Sequence, residues 1–254
     1  MRSKPEESGP HTTENADLPI SPERRNRYSS YAELENGASV GSSPHEVKET
    51  SVQFGMTAGV VLAAGESRRM GRAKGFLPHI SPKSTFLGHL FTVYRAAGVD
   101  PIVVAGRPDD LDLSREVERL GGRFTVNPDP AAGQLSSLIA ALEDLSVTRP
   151  PDAIVVTPVD VPLITADVVR RLIAAAHSTN AAILRAAYRG AHGHPVLFKR
   201  TVFDELRRAD PSVGARAVVR ADPARVMDVE TDEPGVLIDV DTPEDYARVF
   251  GRQL

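Results

Sequence analysis

The chain has 254 residues, of which 41% are apolar and 25% charged, and its formal net charge at pH 7 is −4. This composition is typical of a globular protein, and the slightly acidic balance argues against a general nucleic-acid binder, whose surface should be basic. The sequence contains no cysteine for a disulfide and no apolar run near the ~18 residues of a membrane span, so we expect a cytoplasmic protein whose partners include neither nucleic acid nor membrane.

Residues 1–55 differ in composition from the rest of the chain. They are rich in Pro, Ser, Glu, Asn and Arg and contain few aliphatic residues. Too little apolar area is available to offset a backbone ordering cost of roughly 1–2 kcal/mol per residue. We therefore predict a disordered N-terminal arm over residues 1–55 and one folded domain over residues 56–254.

The folded part opens with an apolar strand that runs into a loop rich in glycine and arginine. Residues 60–62 form the short aliphatic run of a buried parallel strand, and residues 63–65 then remove side-chain bulk, so that a ligand can contact backbone N–H groups. Four cations follow within seven residues, namely Arg68, Arg69, Arg72 and Lys74. This pattern predicts a polyphosphate site at the end of the strand. The glycine spacing excludes both a Walker loop and a dinucleotide fingerprint.

Amphipathic helices and short strands alternate through the remainder of the chain, which predicts one α/β domain with a mixed sheet. The helices are predicted over residues 84–97, 111–120, 136–145, 165–176, 201–208 and 243–250. The strands are predicted over residues 101–106, 123–126, 153–157, 181–187 and 235–238, with a further extended segment over residues 195–198.

The loop before the helix at residues 136–145 carries polar side chains that suit a nucleobase. Gln134, Ser136 and Ser137 follow Gly133 and can donate and accept hydrogen bonds. Serine and glutamine are equally ordinary at a helix start, where they cap backbone groups. The residues alone leave both interpretations open.

Asp160 lies just beyond the apolar strand at residues 153–157, where a carboxylate can reach solvent and ligand. Magnesium is usually held by one or two carboxylates together with water and phosphate oxygens, so Asp160 is a candidate metal ligand. The alternative role, capping the following helix, is better filled by Thr165.

A second acidic segment offers the partner carboxylate. Asp239 and Asp241 follow the strand predicted over residues 235–238 and would share a face in extended backbone, while Thr242 and Pro243 open the last helix. The sequence does not fix which aspartate binds the metal. We favour Asp241 and keep Asp239 beside it.

Histidines occur twice in the segment His192-Gly193-His194-Pro195. A zinc site is a weak interpretation, because the chain has no cysteine and no third spaced ligand is nearby. We interpret the other histidines, such as His79 and His89, as surface or packing residues.

Motifs spread from Leu62 to Asp245 resemble those of nucleotidyltransferases of the molybdenum-cofactor type. Residues 62–74 match the pattern Leu-Ala-Ala-Gly-x-Ser-x-Arg-Met-Gly-x-x-Lys at every specified position. The loop Gly-x-x-Ser-Ser at residues 133–137, Asp-x-Pro at Asp160, Gly-His-Pro at Gly193 and Asp-x-Asp-Thr-Pro-Glu-Asp at residues 239–245 match as well. Only residues 1–55 fall outside the resemblance.

The resemblance implies a Rossmann-like, three-layer α/β fold of the nucleotide-diphospho-sugar transferase type with a mostly parallel mixed sheet. It implies catalytic roles for Lys74, Arg69 and Asp160, and a Mg²⁺ ion held by Asp160 with Asp241 or Asp239. It implies acceptor contacts for Gly193 and His194. The residues implied to bind the nucleotide are Leu62, Ala63, Ala64, Gly65, Ser67, Arg68, Gly71, Gly133, Gln134, Ser136 and Ser137.

The implied reaction is magnesium-dependent transfer of a nucleoside monophosphate from a nucleoside triphosphate to a phosphorylated pterin-type acceptor, the molybdenum cofactor. A molybdoenzyme or its chaperone is implied as a further partner. Ala64 replaces a glycine of guanylyl-transferring relatives, and its methyl group would crowd a purine, so we expect CTP rather than GTP. The alternatives are a GTP-dependent guanylyltransferase, a transferase for a sugar, polyol or deazaflavin-precursor phosphate, and a non-catalytic nucleotide-binding regulator. Retention of both acidic segments argues against the regulator.

Overall fold

The computed structural model describes residues 55–81, 83–147 and 149–254. The arm predicted over residues 1–55 therefore lies, up to residue 54, outside the described residues. Within the described ranges, no helix combines the length and the hydropathy that crossing a bilayer requires.

In this part of the chain seven strands form one sheet with the order β3-β2-β1-β4-β6-β5-β7. They are β1 (Thr57–Leu62), β2 (Ile102–Gly106), β3 (Arg123–Val126), β4 (Ala153–Pro158), β5 (Ile183–Tyr188), β6 (Ala191–Lys199) and β7 (Val226–Glu230). Of these strands, β6 pairs antiparallel with both neighbours, and every other pairing is parallel. The predicted mostly parallel mixed sheet is confirmed.

Helices cover both faces of the sheet. They are α1 (Phe86–Ala96), α2 (Leu111–Arg119), α3 (Gln134–Ser146), α4 (Ala166–Ser178), α5 (Phe203–Arg208), α6 (Arg216–Ala221) and α7 (Pro243–Phe250). Buried residues such as Leu90 in α1 and Leu172 in α4 pack on one face, and residues such as Leu138 in α3 and Leu206 in α5 pack on the other. The result is the three-layer α/β arrangement that the fold class predicts.

Threonine caps fix three helix starts close to the predicted positions. The hydroxyl oxygens of Thr85, Thr165 and Thr242 accept hydrogen bonds from backbone N–H groups three residues further on, at the starts of α1, α4 and α7. Thr242 and Asp245 also form a reciprocal capping box, which fixes the chain immediately after Asp241.

The predicted strand at residues 235–238 is wrong, because Pro234–Leu237 form a 3₁₀ turn. Gly235 packs so closely on Leu163 that a Cβ atom would lie 2.4 Å from the Leu163 carbonyl oxygen, and this contact favours a compact turn over an extended strand. Asp239 and Asp241 consequently lie in irregular backbone rather than on one face of a strand.

Two elements were not predicted and one was predicted too short. The edge strand β7 exposes most of its residues, and the short helix α6 buries Val218, so neither has a sustained apolar period. Strand β6 begins at Ala191 rather than near Pro195, so that the segment with both histidines is part of the sheet.

Candidate active site

The candidate site lies at the carboxyl ends of β1 and β4, where the strand order reverses between neighbouring parallel strands. Ligands of open α/β sheets bind at such a point. A pocket there is lined by Lys74 and Asp160, which were predicted as catalytic residues, and by eight of the eleven residues predicted to bind nucleotide: Leu62, Ala63, Ala64, Gly65, Ser67, Gly133, Gln134 and Ser137. Three predicted residues, Arg68, Gly71 and Ser136, do not line it.

The loop after β1 curls around the carbonyl oxygen of Ser67. That oxygen accepts hydrogen bonds from the backbone N–H groups of Met70 and Gly71, both at 3.0 Å. Ser67 and Gly71 have φ angles of 49° and 73°, in the left-handed region. Among the described residues, the backbone N–H groups of residues 64–67 donate to no partner. Successive free N–H groups in such a turn are a binding site for phosphate oxygens.

The ammonium group of Lys74 joins the two acidic segments. Lys74 begins a 3₁₀ turn (Lys74–Phe76), and its Nζ lies 2.8 Å from Oδ2 of Asp160 and 2.5 Å from Oδ1 of Asp241. Only 10% of the Lys74 side chain is exposed, against 23% and 34% for the two aspartates. A backbone hydrogen bond of 2.8 Å from Val240 N–H to the Asp160 carbonyl also holds the segments together.

The charges of this group stabilise one another. Burial alone would lower the pKa of Lys74, but the hydrogen bonds and charges of Asp160 and Asp241 raise it. Burial would raise the pKa of Asp241, but the hydrogen bond from Lys74 and the charges of Lys74 and Arg69 lower it. The cluster therefore carries one ammonium ion and ionised carboxylate at neutral pH.

Asp239 stands apart from this ion pair. The residue is exposed overall, yet partial burial of its carboxyl group and the negative charges of Asp160 and Asp241 raise its pKa to about 6. Within the described residues, no group of three His, Cys, Asp or Glu side chains is arranged to hold a metal ion. Asp241, unlike Asp239, shares the Lys74 ammonium group with Asp160.

Arg68 and Arg69, neighbours in the loop after β1, have different partners. Arg69 Nη2 lies 2.8 Å from Oδ2 of Asp241, on the side away from Lys74. Arg68 is largely exposed and forms an ion pair with Glu66, whose carboxylate also lies 3.6 Å from Arg107. Arg69 thus belongs to the carboxylate cluster, whereas Arg68 is exposed and pairs with Glu66 instead.

A buried asparagine, which the sequence analysis did not single out, organises the loop before α3. The side-chain amide of Asn127 donates to the hydroxyl oxygens of Ser136 and Ser137, at 2.8 and 2.9 Å. The Ser136 hydroxyl in turn donates to backbone carbonyls of this loop, including that of Gly133 at 2.7 Å. Ser136 is therefore committed to loop structure, and Ser137 and Gln134 remain to face a ligand. Only the position of Asn127 directly after β3 could have signalled this role.

The β6 segment reaches the same edge of the sheet. His194 lies near Asp160, whose charge raises its pKa, but burial dominates and lowers that pKa to about 4. Its Nδ1 atom is buried and forms no hydrogen bond with any described residue. A Cβ atom on Gly193 would lie 1.9 Å from the carbonyl oxygen of Val236, so only glycine fits there. Gly193 is thus required by chain packing, and His194 lies close enough to Asp160 for the charge of that carboxylate to act on it.

Asp110 is a pocket residue that the sequence analysis missed. It lines the pocket from the start of α2, where its Oδ1 accepts a hydrogen bond from Leu113 N–H at 3.1 Å. The sequence signal at this position is that of an ordinary N-cap, which gives no hint of a ligand.

The chain is similar in sequence to a described protein family and to several named proteins. The sequence model of the family described as "MobA-like NTP transferase domain" matches residues 59–226. The chain is 29% identical over 207 residues to "Purine catabolism protein PucB" of Bacillus subtilis, which covers 75% of this chain and 94% of that protein. It is 32% identical over 196 residues to "Probable molybdenum cofactor guanylyltransferase" of Opitutus terrae, which covers 75% and 93% of the two chains.

A solved structure, Rv0371C of Mycobacterium tuberculosis in complex with manganese, superposes with a TM-score of 0.60 and 29% sequence identity. The superposition covers 77% of this chain and 98% of that chain. The sequence relatives and this solved structure thus each match about three quarters of the chain.

Proposed function

The chain belongs to the MobA-like NTP transferase family and is a nucleotidyltransferase, and from this premise we propose that it transfers a nucleoside monophosphate to the phosphate of a molybdenum-cofactor-type acceptor. The observation that carries the proposal is the row of free N–H groups at residues 64–67 beside Lys74, Asp160 and Asp241. A triphosphate needs such donors and cations. Mere nucleotide binding would not need the two carboxylates.

GTP is the donor that the relatives favour. Three of them, 29–37% identical to this chain, carry names that include molybdenum cofactor guanylyltransferase. We propose GTP as the donor for this reason. The same names support the molybdenum cofactor as the acceptor, and we propose its phosphate as the group that receives the nucleotide.

CTP is the second candidate, and Ala64 is the observation that favours it. Ala64 lines the pocket and is 7% exposed, so its methyl group occupies volume beside the nucleotide. Overpacking of a purine against an extra methyl group costs roughly 1–3 kcal/mol, which corresponds to about tenfold or more in selectivity.

In the proposed reaction an oxygen of the acceptor phosphate attacks the α-phosphorus of the donor. A new P–O bond forms, the bond between the α-phosphorus and its bridging oxygen breaks, and pyrophosphate leaves with the electron pair. The N–H groups of residues 64–67 hold and orient the phosphates, and Lys74 stabilises the charge that develops on the leaving group. No covalent intermediate on the protein is required.

Asp160 and Asp241 suit a divalent cation. Their carboxylate oxygens are hard ligands that face one another across the Lys74 ammonium group, and Mg²⁺ commonly takes one or two protein carboxylates with phosphate and water oxygens. We propose Mg²⁺ as the ion, held by Asp160 and Asp241. When bound, it supplies positive charge to the phosphate oxygens. Lys74 and the cation would compete for the same carboxylates, and a bound cation would leave the Lys74 ammonium group free to contact the phosphates.

The proposal is tested by pyrophosphate release with each of the four NTPs, with and without molybdopterin. We expect release that depends on both molybdopterin and a divalent cation, with GTP the best donor. Release with CTP alone would favour the second candidate, and the ratio of kcat/KM for GTP and CTP should then shift toward GTP in Ala64→Gly. Absence of release with any NTP and molybdopterin would refute the proposed acceptor.

A further inference from the structure

Two histidines expected at the surface or in packing form a buried pair behind the candidate site. His79 precedes α1 and His89 lies within it, and their residues are 2% and 3% exposed. The rings stack, with centroids 3.9 Å apart and planes inclined by 13°. Two polar rings are therefore packed directly against each other in the protein interior.

Both rings bind the loop that carries Asp160. His79 Nε2 lies 2.9 Å from the carbonyl oxygen of Pro162, and His89 Nε2 lies 3.0 Å from that of Ile164. A carbonyl oxygen only accepts, so each Nε2 carries the proton and donates. Burial lowers the pKa of His79 well below its usual range and that of His89 to about 4, so both rings are neutral donors at neutral pH.

The pair also adjoins the apolar cluster under the site. This edge cluster comprises Met70, Leu77, Phe86, Leu163, Val240, Tyr246 and Val249. The His79 ring lies edge-on to Phe250 at 5.5 Å, and the Tyr246 hydroxyl donates to the Pro78 carbonyl at 2.9 Å. The segments that carry Lys74, Asp160 and Asp241 therefore converge on one packed unit.

We propose that His79 and His89 are positioning residues that fix the loop at residues 159–165 against the segment carrying Lys74 and so orient the Asp160 carboxylate. The proposal rests on the proposed function, in which Asp160 lies at the reaction centre. An apolar ring of similar volume could fill the space but could not donate, and two buried carbonyls would lose their hydrogen bonds.

The test compares His89→Phe, which keeps a ring but loses the donor, with His89→Gln, which keeps an N–H donor. The kinetics are measured well below the Tm of the wild type and of each variant. We expect His89→Phe to lower kcat about tenfold or more, while KM for the nucleotide changes less than about threefold. The reason is that a misplaced catalytic group affects turnover more than binding. His89→Gln should recover most of kcat. Leu206→Ala, which weakens the core on the opposite face of the sheet, should lower Tm without lowering kcat.

Hydrogen–deuterium exchange gives a measurement that does not depend on activity. We expect faster exchange in the peptide covering residues 159–165 of His89→Phe, with unchanged exchange in α5. If the wild type releases no pyrophosphate, the proposed function fails while exchange still tests the pair.

The proposal would be overturned by a wild-type kcat or unchanged exchange in His89→Phe, or by an equal loss of kcat in Leu206→Ala. If His89→Phe does not fold, His89→Asn, whose shorter amide does not reach Ile164, takes its place in both measurements.

Discussion

At the scale of single residues, the site depends on a buried ammonium group that two carboxylates share. Lys74, Asp160 and Asp241 come from three distant parts of the sequence, and each is held by backbone structure of its own segment. The pattern around each residue predicted that it is functional. Their direct contact could not be read from the sequence, because it depends on how the loops after β1 and β4 pack against the chain before α7.

Replacement of Asp160 by asparagine keeps the shape of the side chain and removes its charge. We expect Asp160→Asn to reduce kcat at least a hundredfold at saturating magnesium, since the loss of one carboxylate of the cation site removes several kcal/mol of transition-state stabilisation. The Tm should change little. Asp112→Asn, at a residue whose side chain is 82% exposed, is the matched control and should remain active. Activity of Asp160→Asn close to that of the wild type would contradict its assignment.

Lys74 and a divalent cation cannot both occupy the space between the carboxylates. We therefore expect the nucleotide-free protein to bind Mn²⁺ weakly, and Lys74→Ala to bind it about tenfold more tightly, because one competing charge is removed from a partly buried site. Titration calorimetry without nucleotide measures this difference. Lys83→Ala, at an exposed lysine, should leave the affinity unchanged. Equal or weaker binding by Lys74→Ala would show that the lysine does not compete.

At the scale of the elements, prediction succeeded where the local signals agreed. The strand at residues 123–126 and the helix at residues 243–250 have the predicted bounds. Two glycines precede the strand and Pro128 follows it closely, while Thr242 and Gly251 cap the helix. Prediction failed at Pro234–Leu237, where the run of apolar residues resembled a strand but the backbone forms a 3₁₀ turn packed closely on Leu163. Such a contact between distant segments leaves no periodic signal in the sequence.

Two glycines of the site should respond differently to substitution by alanine. A Cβ atom at Gly193 would overlap the Val236 backbone, so we expect Gly193→Ala to lower the free energy of unfolding by about 1–3 kcal/mol, as overpacking does. A Cβ atom at Gly65 meets nothing within 4 Å, so Gly65→Ala should keep its Tm and raise KM for the nucleotide. Thermal unfolding and steady-state kinetics on both variants check this. A stable Gly193→Ala would contradict the close contact.

At the scale of the whole molecule, the sheet brings the candidate site together. Parallel strands place the ends of β1 and β4 at one edge, and the antiparallel β6 starts from that same edge. The alternation of helices and strands was sufficient to predict the mixed α/β sheet. The position of β6 between β4 and β5 was not predictable, because neighbouring order in a sheet depends on long-range pairing.

Buried neutral histidines should make the stability of the fold depend on pH. The pKa of His89 is about 4 in the folded protein against 6.5 as the ordinary value, so the unfolded chain takes up the proton first as the pH falls. Stability should therefore be lost between about pH 6.5 and pH 4, by about 3 kcal/mol for this histidine. Denaturant unfolding across this range should show a smaller loss for His89→Gln than for the wild type. His177→Gln, at a mostly exposed histidine, should follow the wild type.

The hairpin between β5 and β6 has a consequence for the divergence of such enzymes. Its turn consists of Arg189 and Gly190, with φ angles of 52° and 79°. Because the turn has only these two residues, β6 begins directly after β5 ends. In the proposed function the strand after this turn carries the acceptor-side residues Gly193 and His194, so substitutions there would alter acceptor contacts and leave the phosphate loop after β1 unchanged. Descendants can therefore inherit the donor chemistry intact while selection acts on this short stretch of the gene to recruit a new acceptor.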